Sequence, residues 1–281
     1  MSLVRAVLAL PGDDAPIEKE YRSIADAMMR CTRLVETFDA SLYESAAVER
    51  VASMWKARML SEYRSTSVFS EMVPQLMEAN ASLDAIGVVL RMAQDEVRHA
   101  EACGRAVAAL GGGGRVEGDI DIVALARHRG VSSEERALRN VIYGCCLSEV
   151  VNCARLVDAL DTMSDPYLRD VTRRLLSDET LHGQFGFHYL DAWRDWLVAH
   201  PDALRSIERF LRHGFAVLER QLSGTGAPPK SLTDDDRALG LPDPARLPDT
   251  FYQTVAGAIV PGLERYGIDA TTAWKDRARA A

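Results

Sequence analysis

Apolar residues return every three or four positions along most of the chain, the repeat that lays one face of an α-helix against a core. That repeat predicts helices over about 17–39, 43–79, 83–110, 133–163, 166–199, 202–222, 248–266 and 269–279. The punctuation agrees. Asn80-Ala81-Ser82 separates two helices, with Ser82 placed to cap the second. Gly111 to Gly114 ends that helix and opens a loose connection to about residue 132. Ser132-Ser133-Glu134-Glu135 reads as a capping box, and Ser164-Asp165-Pro166 as a tight break with proline at a helix start. Pro74 and Pro261 fall inside helical patterns, where proline should kink or break the helix. Segment 223–250, rich in Pro, Gly and Asp, reads as a long surface loop. RVEGDIDIV (115–123) is the one strand candidate and reads as extended loop. The expected chain is all-α: a single domain over 1–281 whose four long helices form two antiparallel hairpins joined by 111–132, with smaller helices flanking them.

Composition narrows the classes of function. The chain is 47% hydrophobic and 26% charged, which suits a globular protein. Its net charge is -8 and no Lys/Arg run exceeds two residues, so nucleic acid is not expected as its main partner. Five cysteines (Cys31, Cys103, Cys145, Cys146 and Cys153), odd in number and without a C-x-x-C pair, suit a reduced, cytoplasmic setting. The apolar run Val4 to Leu10 is broken by Arg5 and followed by PGDDAP, a poor signal peptide. No apolar stretch approaches the length of a membrane span, so no membrane partner is expected.

One short unit occurs twice: Asp95-Glu96-x-x-His99 and Asp178-Glu179-x-x-His182. Residues three apart share a helix face, so each Glu and His can address one metal ion. With 18 Glu and 6 His, chance supplies roughly 0.4 Glu-x-x-His matches. Two matches, each preceded by Asp and each near the middle of a long predicted helix, outweigh the alternative of unrelated surface acids. Two octahedral ions need further carboxylates from the partner helices. Counting back about 14 residues, some 21 Å, from the turns nominates Glu149 opposite Glu179. Glu149 is a lone acid in the otherwise apolar or small stretch CCLSEVVNC, where it needs a cation or a partner. The same count on the first hairpin lands near residue 65 and nominates Glu62, with Glu71 as the competitor roughly 9 Å off level. Four glutamates carry the charge that neutralises two Fe(II), and mixed carboxylate and imidazole donors suit iron or manganese better than zinc. Asp95 and Asp178 are each expected to reach the distal N–H of the histidine on the other motif helix, with Arg98 pairing one of the two.

The set Glu62, Glu96-x-x-His99, Glu149 and Glu179-x-x-His182, with 34, 53 and 30 residues between successive glutamates, resembles the ferritin-like di-iron carboxylate superfamily. The resemblance covers about residues 45–200, and DEVRH looks like the DE-x-R-H of its oxygen-activating branch, the desaturases and multicomponent monooxygenases. It implies a ferritin-like four-helix bundle, two irons cycling between Fe2+ and Fe3+, and O2 as co-substrate; manganese at one or both sites is the alternative. The departures narrow it further. Cys103 stands where radical-generating ribonucleotide reductase subunits carry tyrosine, and Leu175 where arylamine N-oxygenases carry an extra histidine. Ferritins are shorter, and the cysteine iron module of rubrerythrin-like proteins is missing. What the resemblance implies is an oxygenase that hydroxylates, desaturates or cleaves a small organic substrate. Electrons would come from an external ferredoxin or reductase, and a homodimer remains open. A ferroxidase or iron-binding protein and a di-manganese catalase are the competing readings.

Around the motifs, helical spacing puts Cys145, Cys146, Asn152 and Cys153 one turn from Glu149, either as small core residues or as a pocket wall. Cys153 resembles the position where some monooxygenases keep a threonine. Gly144 in this helix marks a π-bulge or a close helix contact. Gly183 and Gly186 leave room beside His182, for substrate or for helix packing, and Tyr189 reads as core. His128, His188, His200 and His213 read as non-ligands.

Overall fold

A computed structural model describes residues 2–9, 37–122, 125–225 and 231–280. Nearly all of the predicted helix 17–39 lies outside them. The described chain is mostly helical. Helix α1 (Ser45–Glu78) runs unbroken past Pro74, which lies near its end. It stops at Asn80, whose φ of 54° reverses the chain. The Ser82 hydroxyl accepts from the Ala85 N–H and starts α2 (Leu83–Ala109). Helix α3 starts at the Ser132 cap, which accepts from the Glu135 N–H. It has three consecutive sections: Ser133–Val141, a π-helical Ile142–Glu149, and Val150–Thr162. Asp165 accepts from the Leu168 N–H and opens α4 (Pro166–Ala192), with proline at its first turn.

The predicted helix 166–199 breaks at Trp193, leaving a separate short helix α5 (Arg194–Ala199). Helix α6 (Pro201–Leu222) follows. Within the expected loop 223–250 the described residues include a helix, α7 (Asp234–Ala238), held by a capping box between Thr233 and Asp236. Helix α8 comprises Leu247–Thr254, a π-helical Val255–Ile259 and Val260–Glu264. The π turn stands just ahead of Pro261, whose missing N–H disturbs the regular ladder. Helix α9 (Ala270–Lys275) is shorter than predicted and gives way to a 3-10 turn, Arg277–Ala280. The segment expected to be extended loop is instead a strand. Residues Arg115–Ile122 (β2) pair antiparallel with Ser2–Ala9 (β1), from Ser2 opposite Ile122 to Ala9 opposite Arg115. Among the described residues no helix is long and apolar enough to cross a membrane.

Packing divides the four long helices into three levels. One apolar cluster takes Trp55 and Met59 from α1, Cys103 and Val107 from α2, Leu156 from α3, and Leu168 and Leu175 from α4. A second takes Phe69 and Met72, then Val89 and Met92, then Leu147 and Val151, then Phe185 and Leu190, and extends into α6 and α8. Between them on α1, α2 and α4, and beside Leu147 and Val151 on α3, lie the buried polar side chains Glu62, Asp95, Glu96, His99, Glu149, Glu179 and His182. The two clusters also fix direction: the first draws on the early part of α1 and α4 and the late part of α2 and α3. Within each hairpin the helices therefore run antiparallel.

A smaller contact ties the late chain to α1. Arg50 donates from Nε and Nη2 to the two carboxylate oxygens of Asp236, at 2.8 and 3.0 Å. Burial raises the Asp236 pKa, but the bonds and charge of Arg50 together with the bonds from Thr233 outweigh it and hold the carboxyl below its usual range. A carboxyl lowered in this way contributes stability above the ordinary aspartate pKa of about 4, lost as pH falls through its folded value. Asp236→Ala is therefore expected to lower the thermal midpoint by roughly 5 °C at neutral pH, and by much less below pH 3. Calorimetry at the two pH values checks this.

Candidate metal centre

All six side chains nominated by spacing converge in the polar layer, and none is more than 7% exposed. They form two overlapping groups whose donor atoms lie within 4.8 Å of one another. One is Glu62, Glu96, His99 and Glu179; the other is Glu96, Glu149, Glu179 and His182. Glu96 and Glu179 belong to both groups. Glu179 turns Oε1 to His99 Nδ1 at 3.5 Å and Oε2 to His182 Nδ1 at 3.1 Å. Glu96 does the same from the other side, with Oε2 at 3.9 Å and Oε1 at 3.3 Å. Glu62 lies 3.8 Å from His99 Nδ1. The arrangement is two ion-sized positions, each with one imidazole and one carboxylate of its own, and two carboxylates shared. Glu71 takes no part: it is half-buried and accepts the Leu125 N–H at 2.7 Å.

Both imidazoles face the cluster through Nδ1, because Nε2 is engaged on the far side. His182 Nε2 lies 3.4 Å from Asp95, and His99 Nε2 lies 3.3 Å from Asp178. Each aspartate thus reaches the histidine of the other motif. Arg98 donates to both aspartates and ties the two pairs together. The position equivalent to Arg98 in the second motif is Leu181, which is exposed. Arg91 was not anticipated: its Nε donates to Asp95 Oδ1 at 2.6 Å. The four-residue spacing Arg91-x-x-x-Asp95 is a helical ion-pair signal that could have found it. Phe69 closes the layer with its ring edge against His182 at 5.4 Å.

The charges settle unequally. Burial pushes Glu96 and Glu149 well above the glutamate range, and the charge of Glu179 adds to both shifts. Glu179 goes the other way: burial raises it, but bonds with His182 and His99 hold it well below its usual value. Burial disfavours charge on His182, yet contacts with Asp95, Glu179 and Glu96 carry its pKa to about 12. His99 is likewise held well above the histidine range against its burial, by Asp178, Glu179 and Glu62. Asp95, raised by burial, is brought down to about 2 by His182, Arg91 and Arg98. Without cations the layer therefore keeps protons on Glu96 and Glu149 and on both imidazoles. Even so, both oxygens of Glu96, Glu149 Oε2 and His99 Nδ1 are buried without a hydrogen-bond partner. Buried polar atoms left unpartnered around two ion-sized positions are what a pair of cations satisfies, in exchange for the protons.

Glu149 is the last residue of the π-helical section, and Gly144 lies within that section. Gly186 lets α4 approach it: a Cβ there would meet Cys146 Sγ at 2.6 Å and Cys145 Cβ at 2.7 Å. Cys145 and Cys146 are fully buried and fill this contact, the small-core placement. Cys153 is half-buried, and burial first, then the charges of Glu179 and Glu149, push its thiol up to about 12. Asn152 alone of the four lines the cavity described below. Tyr189 packs in the core. The remaining histidines stand apart from the layer. His128 bonds Asn140 at 3.1 Å, His200 stacks on Trp196, and His188 and His213 are exposed. Compared with protein-family models, curated proteins and solved structures, the chain finds no match.

Loading divalent iron or manganese is expected to yield two ions per chain, release protons into a weakly buffered solution near pH 7, and raise the melting temperature. Saturation 100-fold above Kd adds about 2.7 kcal/mol. Glu62→Ala should lower the stoichiometry towards one ion, whereas Glu71→Ala should leave it unchanged. Metal analysis, thermal melts with and without metal, and calorimetric titration in two buffers of different ionisation heat check all three; no proton release, or loss of metal in Glu71→Ala alone, would contradict the assignment.

Proposed function

We propose that this chain is a non-haem di-iron oxygenase built on a ferritin-like four-helix bundle. It uses O2, and electrons from a separate ferredoxin or reductase, to hydroxylate, desaturate or cleave a small organic substrate. The observation that carries the reading is the doubly shared layer: two carboxylates common to both ion positions, one imidazole at each, and every imidazole backed by an aspartate. The donor set fits two irons, since it is carboxylate-rich with two nitrogens and no thiolate, and its unpaired oxygens call for cations. When bound, such a pair of irons supplies two electrons to dioxygen and a strong oxidant to the substrate.

The chain's own residues set the conditions for that chemistry. Once cations displace the imidazole protons, Asp95 and Asp178 would accept the Nε2–H of the opposite imidazoles, fixing one tautomer and leaving each Nδ1 lone pair directed into the layer. Arg98, by joining both aspartates, keeps those bonds on a common frame. Glu96 and Glu149 give up their protons as cations enter, so the layer exchanges protons for metal charge without exposing a carboxylate. Phe69, Met59 and Leu175, from the two apolar clusters, exclude water from both sides. A cavity along the same internal faces supports organic oxidation over mere iron holding.

Anaerobic Fe(II) loading followed by O2 is the direct test. A fast optical change, with oxygen consumption coupled to oxidation of an added substrate and reductant, is expected. Steady ferrous oxidation indifferent to any organic compound would favour an iron-handling protein, and peroxide disproportionation after manganese loading would favour a catalase. Asp178→Asn should still bind two irons at high concentration but react with O2 roughly 10–100-fold more slowly, or bind iron that much more weakly. Wild-type affinity and rate in both Asp95→Asn and Asp178→Asn would remove the aspartates from the chemistry.

A further inference from the structure

Along the bundle from the carboxylate layer lies a cavity of about 150 Å³. Its wall includes Trp55 from α1, Leu156 from α3 and Thr172 from α4. Each stands seven residues from a carboxylate of the layer: Glu62, Glu149 and Glu179 respectively. Seven residues are two helical turns, about 10 Å, on the same face. Arg58 and Asn152, also on the wall, are only about one turn from Glu62 and Glu149. The cavity therefore adjoins the layer at its first-cluster side, where Gly240, Pro242 and Leu247 cover it.

Its lining is rich in donors and has no acid. Arg58 and Arg155 both face it, yet neither forms an ion pair with a carboxylate among the described residues. Arg155 donates one N–H to the Leu222 carbonyl, and its buried Nε has no hydrogen-bond partner. Trp55, 1% exposed, carries an indole N–H without an acceptor. Arg58 stands 5.8 Å from the Trp55 ring centroid, so these donors are neighbours. Burial and then the like charge of Arg58 lower the Arg155 pKa, consistent with two guanidinium groups meeting without a counter-ion. Apart from the neutral side chains of Asn152 and Thr172, the rest of the wall is apolar, with Met54, Leu156, Ala159, Met163 and Leu247 among it. The neighbouring clefts differ, since acids line both of them, among them Asp158 and Asp161 in one and Asp158 and Asp243 in the other.

We infer that this cavity takes a small carboxylate with a hydrocarbon body, held at its anionic end by Arg58, Arg155 and the Trp55 N–H, and that such an acid is the substrate class of the adjoining site. The substrate role rests on the oxygenase reading; the binding does not. Two guanidinium forks and an indole N–H match the acceptors of one carboxylate. The volume is well below the roughly 300–1,000 Å³ of drug-sized pockets, which fits a short-chain acid. Inorganic phosphate shares the charge but would leave the apolar wall uncovered.

The test is calorimetric titration of the full-length, iron-loaded protein with hexanoate, hexan-1-ol, hexylamine and inorganic phosphate, with Trp55 fluorescence as a second signal. Hexanoate is expected to bind at least tenfold tighter than each of the others. Arg58→Gln and Arg155→Gln should each weaken it about 10–100-fold, while Arg155→Lys retains part of the affinity. Trp55→Phe should abolish most of the fluorescence change. The comparison of hexanoate with hexan-1-ol on the unaltered protein needs no variant to fold. Equal affinity for the alcohol, phosphate binding as tight as hexanoate, or no hexanoate binding overturns the inference even if two irons are present. Hexanoate binding to a protein that retains no metal would instead defeat the oxygenase reading, and with it the substrate role of the acid.

Discussion

Four glutamate side chains share one dry layer, and the cost of that crowding organises the rest of the molecule. A carboxylate stripped of water must be neutralised, paired or satisfied by hydrogen bonds. Here two take up protons, one is held ionised between two imidazoles, and several oxygens still have no partner. Such a layer persists only if the helices carrying it cannot slide apart. The two apolar clusters above and below supply that restraint, and on α1, α2 and α4 they are interrupted at the same level. The polar layer is therefore a gap in the hydrophobic core, kept open by the parts of the core it divides.

The two halves of the layer are not equivalent. Asp95 is almost fully buried and receives Arg91 and Arg98, whereas the Asp178 side chain is 20% exposed and, among the described residues, receives one arginine, Arg98. A bond to a buried, doubly held carboxylate is less easily replaced by water than one at the edge. His182 is consequently the more firmly oriented of the two imidazoles. Substitutions on the Asp178 side should be felt through mobility of His99, and those on the Asp95 side through loss of a buried charge partner.

The repeated Asp-Glu-x-x-His units were legible because three-residue spacing on a helix is a geometric statement that needs no tertiary knowledge. Glu149 was legible because an acid alone in an apolar stretch has few other uses. Glu62 required counting levels from the turns, and the common rise per residue brought the count to within one turn of it. The crossing of each aspartate to the opposite histidine followed from the same antiparallel geometry. Other features depended on partners far away in sequence. Nothing within Arg115–Ile122 says that Ser2–Ala9 will pair with it. The helix at Asp234–Ala238 hides in a Pro- and Gly-rich segment because its capping box is only one turn long. The arginine-lined cavity is assembled from α1, α3, α4 and the 240–247 segment, so no single stretch announces it.

The π-helical section from Ile142 to Glu149 makes the length of α3 as informative as its composition. A π turn holds more residues than an α turn, so a helix containing one behaves as a regular helix with a residue inserted. Asn140 just before it is anchored by Gln75 and the Ala126 carbonyl, and Val151 just after it is locked in the core. Deleting one residue between these anchors would let the ladder close into an ordinary helix, at little local cost. Because the widened turn already absorbs the extra residue, the residues beyond would keep their phase, whereas a deletion in the regular stretch Ser133–Val141 would turn the two ends of α3 by about 100° relative to one another and part Asn140 from the register of Glu149, Asn152 and Arg155. The π section is thus a length buffer within α3, able to give up a residue without moving Glu149 or the cavity wall, a tolerance to deletion that the regular stretch before it lacks.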